Sequence, residues 1–255
     1  MLLSSPPHLP STGVILVDGD IIAYRAAFHA DKLTELDALL KVDQVIEYIA
    51  RGCNLHQENM IVFLTGRDKE NFRNAEAVTA PYKGNRKGTD TPLWLPSSRD
   101  YMVDNYDAVV SSGEEADDLI AIKATELGEE TVVASIDKDM LQIPCYHFNF
   151  NRNEWHQVSQ FEGLVFFYEQ ILTGDRSDNI IGIRGIGPVK AKKILKDCDT
   201  EEDLWNTVVD VYDGDQDRVL ENARLLWLRR KEGELWDHPH QRNAPEQSKL
   251  ATDQG

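Results

Sequence analysis

The chain has 255 residues, and its 27 lysines and arginines against 44 aspartates and glutamates give a net charge of −17. Its hydrophobic residues, 41% of the total, suffice for a packed core, and no apolar run approaches the roughly 20 residues of a membrane span. The three cysteines, Cys53, Cys145 and Cys198, form neither a zinc motif nor a disulfide framework. We therefore expect a cytoplasmic globular protein that does not enter the membrane.

Apolar runs alternate with helical patterns over the first 160 residues. The patterns predict strands at 13–17, 60–64, 106–110, 131–136 and 146–150, and helices at 21–28, 36–50, 115–127 and 138–143. Residues 79–98, rich in proline and glycine, predict a loop, with at most a short helix near 97–105. This alternation predicts an α/β fold with a mostly parallel sheet and helices on both faces.

The strand signal ends near residue 161. Helices are predicted near 161–173, 188–196, 201–212 and 217–231, with Asp217 as the N-cap of the last one. We therefore expect a flexible N-terminus (1–12), an α/β domain (13–160), a smaller helical region (161–237) and a polar tail (238–255).

Positive charge is concentrated in two segments without acids. Residues 182–196 carry Arg184, Lys190, Lys192, Lys193 and Lys196, and residues 82–88 carry Lys83, Arg86 and Lys87. Two basic segments on an otherwise acidic protein can bind a polyanion locally. Solvated lysine side chains are the alternative interpretation.

Acidic residues follow the predicted strands, at the edge where ligands bind in open α/β sheets. Asp18 ends the first strand, and Glu115, Asp117 and Asp118 begin the helix after the strand near 106–110. Three further acids follow other strands: Asp68 comes after the second strand, and Asp137 and Asp139 come after the strand at 131–136. Glu115 with Asp117, and Asp137 with Asp139, are each expected to point to one side of an extended segment.

So many carboxylates in one cleft would repel each other unless cations lay among them. Oxygen ligands suit Mg²⁺, or Mn²⁺ in its place, and two such ions about 4 Å apart would hold both oxygens of a reacting phosphodiester. Asp175 and Asp178 are expected to share one face of a helical turn. Taken singly, each acid could be a helix cap or a solvated side chain, and we assign Asp20 and Asp31 in that way.

The segment from Gly182 to Pro188 predicts a tight hairpin between two helices, with Pro188 at the first position of the second helix. Its glycines would let a phosphate approach the backbone N–H groups at that helix N-terminus, and the lysines that follow would add charge. Such a hairpin grips a sugar-phosphate backbone without reading bases. A helix hairpin with a solvated basic face is the alternative.

Five sequence blocks together resemble the 5′ nuclease superfamily of flap endonucleases and 5′–3′ exonucleases. They are LVDGD (16–20), APYKGNRKG (80–88), GEEADDL (113–119), ASIDKDM (134–140) and LTGDRSDNIIGIRGIGPVKAKKIL (172–195). Within that superfamily the chain is most similar to the compact exonucleases of tailed bacteriophages. The resemblance implies a PIN-like α/β fold followed by a helix–three-turn–helix DNA-binding motif, in a monomer of the host bacterial cytoplasm.

The resemblance also implies roles for individual residues. Asp18, Asp68, Glu115, Asp117 and Asp118 would surround one Mg²⁺, and Asp137, Asp139, Asp175 and Asp178 the other. Lys83 and Arg86 would contact the scissile phosphate. Tyr24 would stack on the terminal base, unless it is a core aromatic. DNA contacts would come from Tyr24, Arg25, Lys87, Arg184, Gly185, Gly187, Lys190, Lys192 and Lys193, with a K⁺ ion at the 182–187 hairpin.

The implied activity is Mg²⁺-dependent 5′–3′ exonuclease cleavage, with flap, structure-specific or RNase H-like endonuclease activity, that leaves 5′-phosphate products. The substrates would be double-stranded DNA with 5′ ends, nicks or flaps, or RNA–DNA hybrids. Family members often carry a long helical arch after the basic block, but Pro92 and Pro96 interrupt a short segment here, which predicts a short clamp. The alternatives are a PIN-type ribonuclease and a non-catalytic DNA-binding scaffold.

Overall fold

A computed structural model describes residues 1–28, 34–67, 71–86, 91–128 and 130–242. The described residues form two compact units. The first contains 1–72, 86–163 and Leu228–Glu234, and the second contains 73–85, 164–227 and the residues from 235 onward. Each unit is discontinuous in sequence: the segment 73–85 belongs to the second unit and the segment 228–234 to the first, which the sequence does not predict.

Within the described residues, the first unit is built on a seven-stranded sheet. Its strands are β1 (Leu2–Leu3), β2 (Ile15–Asp18), β3 (Met60–Leu64), β4 (Val109–Val110), β5 (Val132–Ala134), β6 (Tyr146–Asn149) and β7 (Glu154–Gln157). They lie in the order β1-β7-β6-β5-β2-β3-β4. The five strands from β6 to β4 are parallel, with Ile15 of β2 opposite both Met60 and Val132, and β7 and β1 pair antiparallel at one edge.

The helices cover both faces of this sheet, as the sequence predicts. The chain contains α1 (Gly19–Ala27), α2 (Glu35–Cys53), α3 (Arg73–Glu76), α4 (Leu95–Tyr106), α5 (Ala116–Leu127), α6 (Gln160–Thr173), α7 (Pro188–Leu195), α8 (Glu201–Val211), α9 (Gln216–Leu226) and α10 (Pro239–Arg242). Alternate residues of β2 face opposite layers: Ile15 and Val17 pack with α1, α2 and α4, whereas Leu16 packs with α5. None of the helices in the described ranges has the length and apolar character needed to span a bilayer.

Aromatic side chains fill the core of the second unit. Phe167 contacts Trp227 edge-on at 4.9 Å between ring centroids, and Trp205 lies 5.8 Å from Trp236. Between α6 and α7 the chain forms a short antiparallel ribbon, β8 (Gly174–Asp175) and β9 (Ile180–Ile181), which the sequence does not predict.

The two edge strands of the first unit's sheet, β1 and β4, differ from the prediction. Each is only two residues long, so backbone pairing rather than an apolar sequence pattern defines it. The N-terminal residues 1–12 are not loose, since Leu2 and Leu3 pair with β7. The strand predicted at 106–110 shrinks to β4, because α4 continues to Tyr106. That last turn is held by Asp43 of α2, which accepts hydrogen bonds from the Tyr106 hydroxyl (2.6 Å) and the Tyr101 hydroxyl (3.0 Å).

The helix predicted at 217–231 is also corrected. Asp215, not Asp217, is the N-cap of α9, and its Oδ1 accepts a hydrogen bond from the Arg218 N–H (3.0 Å). At the other end the buried Arg73 guanidinium donates to the carbonyls of Leu225 and Trp227, both at 2.9 Å. A cation at these terminal carbonyls favours a helix end. The chain continues from there as an extended segment.

The tail predicted to be loose at 238–255 begins with α10. Arg242 at its end forms an ion pair with Glu201 of α8. The rest of the tail lies outside the described residues.

His147 of β6 is buried, with its Nε2 2.8 Å from the Ile143 carbonyl oxygen. In the neutral form that nitrogen can donate its proton to the carbonyl. Burial lowers the pKa of His147 from 6.5 to about 4, because the charged imidazolium is poorly solvated there. The folded protein therefore holds a neutral histidine at mildly acidic pH.

We expect this histidine to make the fold acid-sensitive. Between pH 6.5 and 4 the unfolded chain binds a proton at His147 that the folded chain does not bind. The free energy of unfolding therefore decreases as the pH is lowered through this range, by about 3 kcal/mol in all. Urea unfolding of His147→Gln at several pH values should show a flatter dependence. Parallel curves for His147→Gln and the wild type would contradict this.

Candidate functional site

Asp18 is both the last residue of β2 and the N-cap of α1. Its Oδ1 accepts a hydrogen bond from the Ile21 N–H (3.2 Å) and its Oδ2 accepts one from the Ser135 hydroxyl (2.9 Å). The residue is only 2% exposed. Burial, with smaller contributions from the charges of Asp20 and Asp137, raises the pKa of Asp18 to about 7 despite these two hydrogen bonds. A cation beside this carboxylate would favour its charged form.

Ser135 joins the ends of two neighbouring strands. Its hydroxyl donates to Asp18 after β2 and accepts from the Asp137 N–H (3.0 Å) after β5. Asp137 in turn caps a 3₁₀ helix, Lys138–Gln142, by accepting from the Asp139 N–H (2.9 Å). Asp139 therefore lies in a helical turn, and the extended arrangement predicted for this pair is wrong. Ser135 is not among the site residues predicted from the sequence, although a hydroxyl between a strand end and an acid is a usable signal.

The acids at the start of α5 have different environments. Glu115 occupies the N-cap position, and Asp117 is in the first turn and half-buried. The extended arrangement predicted for this pair is therefore wrong. Asp118 is fully buried, and its two oxygens accept hydrogen bonds from the backbone N–H groups of Glu115 (3.3 Å) and Arg229 (3.2 Å). Its observed contacts are those of a side chain that holds the start of the helix.

Asp20, assigned from the sequence as a cap or solvated residue, has another role. It forms an ion pair with Arg99 of α4, and its Oδ2 accepts a hydrogen bond from the Thr65 N–H (2.9 Å). Thr65 also accepts from the Ala116 N–H through its hydroxyl (3.0 Å). The first turns of α1 and α5, which carry the acids, are thus both attached to the end of β3. Asp31, given the same assignment as Asp20, lies outside the described residues.

In the second unit, Lys83 and Asp178 lie together. The Lys83 N–H donates to the Asp178 carbonyl (2.8 Å), and its Nζ lies 3.7 Å from Asp178 Oδ2. The Tyr82 hydroxyl donates to that same carboxylate oxygen (2.9 Å). Lys83 has a left-handed backbone with φ of 53°, so the loop aims this side chain by an uncommon conformation.

Asp175 and Asp178 are not on a helical turn as predicted. Asp175 ends β8 and is buried, with its Oδ1 accepting a hydrogen bond from the Ser177 N–H (2.6 Å). Residues 176–179 form the turn between β8 and β9. Arg86 ends a short 3₁₀ helix, Gly84–Arg86, and is exposed.

The residues predicted to contact DNA are at the surface where the structure describes them. The exposed set is Tyr24, Arg25, Arg184, Gly185, Gly187, Lys190, Lys192 and Lys193. Gly187 is the N-cap of α7 with Pro188 as its first residue, as predicted, and Gly185 has a positive φ of 84°. Tyr24 is 48% exposed, which argues against a core aromatic. Asp68 and Lys87 lie outside the described residues.

A cavity of about 320 Å³ adjoins Asp137 in the first unit. It lies between the segment after β5 and the β6–β7 hairpin, and its lining includes Lys138, Asn149, Arg152 and His156. The cavity opens at the edge of the sheet where β5 and β6 end. No sequence pattern predicts this cavity.

The donor chemistry of the first unit fits a hard divalent cation. Asp18 and Asp137 offer carboxylate oxygens, and the hydrogen bonds to Asp18 come from neutral donors. Over residues 1–28, 34–67, 71–86, 91–128 and 130–242, no three acidic, histidine or cysteine side chains form a metal cage by themselves. Mg²⁺ usually needs only one or two carboxylates, with water and substrate phosphate oxygens completing its octahedron.

A family model described as the N-terminal resolvase-like domain of 5′-3′ exonucleases matches residues 13–162. The chain belongs to this 5′-3′ exonuclease family. The predicted superfamily and the predicted fold class, an α/β fold with a mostly parallel sheet, are confirmed. The matched residues include Asp18, the acids at the start of α5, and the pair Asp137 and Asp139.

The names of curated relatives agree with this family assignment. A 5′-3′ exonuclease of Buchnera aphidicola is 25% identical over 222 residues, covering 79% of this chain and 76% of its own. The flap endonuclease Xni of Shewanella piezotolerans is 25% identical over 215 residues, covering 77% and 81%. DNA polymerase I of Deinococcus radiodurans is 28% identical over 224 residues, but the match spans only 22% of that polymerase. The family member described here is therefore a nuclease.

Solved structures extend the likeness of the fold. The T5 D15 protein co-crystallized with metal ions superposes with a TM-score of 0.64 at 20% identity, covering 84% of this exonuclease and 89% of that chain. At this identity the similarity concerns the arrangement of helices and strands.

Proposed function

We propose that this nuclease is a Mg²⁺-dependent 5′–3′ exonuclease with flap or structure-specific endonuclease activity on DNA, releasing 5′-phosphate products. The observation that carries the proposal is the buried Asp18 carboxylate, with its raised pKa, joined through Ser135 to the segment of Asp137. Burying an acid without a cationic partner costs stability. A cation bound beside Asp18 would offset this loss of stability.

Asp18, Glu115, Asp117, Asp137 and Asp139 would hold one or both ions at the edge of the first unit's sheet. Asp175 and Asp178 of the second unit, together with Asp68, remain predicted ligands. Two divalent ions would supply a nucleophilic water at neutral pH and charge stabilisation for the attacking and leaving oxygens, with Mn²⁺ as a substitute. Asp118 we place behind the ligands, because both of its oxygens accept backbone hydrogen bonds.

Lys83 and Arg86 would contact the scissile phosphate and stabilise the negative charge that develops on it. The Asp178 contacts position Lys83, since both its backbone N–H and its ammonium group face that residue. The glycines and lysines from residue 184 to 193 would grip the DNA backbone, with K⁺ at the 182–187 hairpin, and Tyr24 would stack on a terminal base. These backbone contacts would favour duplexes with 5′ ends, nicks or flaps, and RNA–DNA hybrids. The protein would bind them as a monomer.

End-labelled substrates test the proposal directly. Duplex, nicked, flapped and RNA–DNA substrates are incubated with and without Mg²⁺, using the wild type and Asp137→Asn. We expect 5′-phosphate products only from the wild type with Mg²⁺, while Asp137→Asn binds duplex DNA about as tightly as the wild type. Preferential cleavage of single-stranded RNA would favour a PIN-type ribonuclease. Equal rates from both proteins would refute the metal-site assignment.

A modified flapped substrate tests the short clamp predicted from the sequence. Helix α4 is attached to α1 and α2, because Arg99 pairs with Asp20 and the Tyr101 hydroxyl donates to Asp43. A helix anchored in this way leaves little chain to form an arch. A bulky adduct on the 5′ end should therefore leave cleavage of a flapped substrate nearly unchanged, whereas a block would mean that the strand threads through the protein.

A further inference from the structure

The segment Leu228–Glu234, here called the brace, follows α9 and belongs to the first unit. Its second residue, Arg229, has a largely enclosed side chain. The Arg229 guanidinium lies 3.6 Å from the centre of the Phe72 ring, and its Nη1 is 3.1 Å from Glu114 Oε2. The side chains of this ion pair are only 12% and 9% exposed, so water screens the pair weakly.

The brace also touches the start of α5 through its backbone. The Arg229 N–H donates to Asp118 Oδ1 (3.2 Å), and Asp118 Oδ2 accepts from the Glu115 N–H (3.3 Å). One arginine thus contacts residues on both sides of Glu115, by an ion pair before it and a hydrogen bond after it. The Arg229 Nε donates to the Glu234 carbonyl (2.8 Å), which closes the brace on itself.

A second contact reaches the other acid-bearing segment. Arg230 Nη2 donates to the Gln142 carbonyl (2.8 Å), and the Leu228 N–H donates to Gln142 Oε1 (3.3 Å). Gln142 is the last residue of the 3₁₀ helix that Asp137 caps. The brace therefore holds the start of α5 and the end of that 3₁₀ helix at the same time.

We propose that Arg229 is a positioning residue, which sets the orientation of Glu115 and Asp117 toward a divalent cation from behind, through Glu114 and Asp118. The inference rests on the proposed metal-dependent function. Its physical basis is that outer contacts fix the geometry of ligating side chains, and their loss commonly lowers metal affinity by about 10- to 100-fold. The cation also reduces the repulsion among the acids at the start of α5.

The test is a titration with Mn²⁺, in which electron paramagnetic resonance counts the free ion and no substrate is present. We expect the dissociation constant of Arg229→Ala to rise about tenfold or more. Adding millimolar guanidinium should restore part of the affinity, because it refills the space between Glu114 and Phe72. Arg229→Lys and Glu114→Gln, which remove fewer atoms than Arg229→Ala, should give intermediate values.

The matched control is Arg224→Ala, which removes an ion pair with Glu76 of similar length (3.0 Å) in the second unit. Circular dichroism melts of all variants establish that they fold. Arg224→Ala should bind Mn²⁺ like the wild type. Identical titrations for the wild type and all three brace-network variants would overturn the inference alone. No Mn²⁺ uptake by the wild type would overturn the proposed function and, with it, the inference.

Discussion

Replacing Asp18 by asparagine should abolish cleavage while making the metal-free protein more stable. Asparagine has nearly the same shape. Its Oδ1 can still accept the hydrogen bond from the Ile21 N–H, and its Nδ2 can donate to the Ser135 hydroxyl oxygen in place of the bond that Asp18 accepts there. The variant removes a buried charge, whose cost is evident in the pKa of about 7 for Asp18. It also removes the oxygen charge that a divalent ion needs, so the rate should fall about a thousandfold or more.

The measurement pairs two assays on the same preparations. Thermal melts without divalent ions at pH 8 report stability, and cleavage of a nicked duplex with Mg²⁺ reports activity. Glu47→Gln, which removes an exposed acid of α2 paired with Arg51, serves as a control and should change neither. An Asp18→Asn protein that cleaves at the wild-type rate would exclude Asp18 from the metal site.

Replacing Lys83 by alanine should produce the second large effect. The loop should persist, because its anchors are the Lys83 N–H bond to the Asp178 carbonyl and the Asn179 side-chain bond to the Pro81 carbonyl (2.9 Å). What is lost is a cation that would stabilise negative charge on the phosphate in the transition state. We expect kcat to fall about 10²- to 10³-fold, with KM changing much less.

The control for Lys83→Ala is Lys123→Ala, which removes a surface lysine of α5 paired with Glu126. Single-turnover cleavage separates chemistry from DNA binding, and Lys83→Arg should recover part of the rate. A Lys83→Ala enzyme with an unchanged single-turnover rate and weaker binding would assign this residue to the grip on DNA rather than to the reaction.

The inner strands could be predicted because their signal is local. β2, β3 and β5 are short apolar runs, and polar residues directly follow two of them. The position of Asp18 at the end of β2 followed from the same pattern. The two-residue strands carry no such signal, since Leu2–Leu3 becomes a strand only through its pairing with β7.

The supporting residues could not be predicted, because a buried arginine and a solvated one look alike in a sequence. Arg73 ends α9, Arg99 holds α4 and Arg229 holds α5, and each does so through partners far along the chain. The predicted end of α9 is wrong for the same reason. The helix is predicted to extend through residue 231, but it ends at Leu226, and residues 228–231 belong to the brace.

The most direct measurement is the anomalous diffraction signal of Mn²⁺ in crystals of the wild type. We expect an anomalous peak about 2.1 Å from a carboxylate oxygen of Asp18 or Asp137, the bond length of a hard divalent cation. We also expect this peak to disappear in Asp18→Asn crystals soaked identically. Well-diffracting crystals with Mn²⁺ only on exposed surface acids, away from both residues, would contradict the central claim.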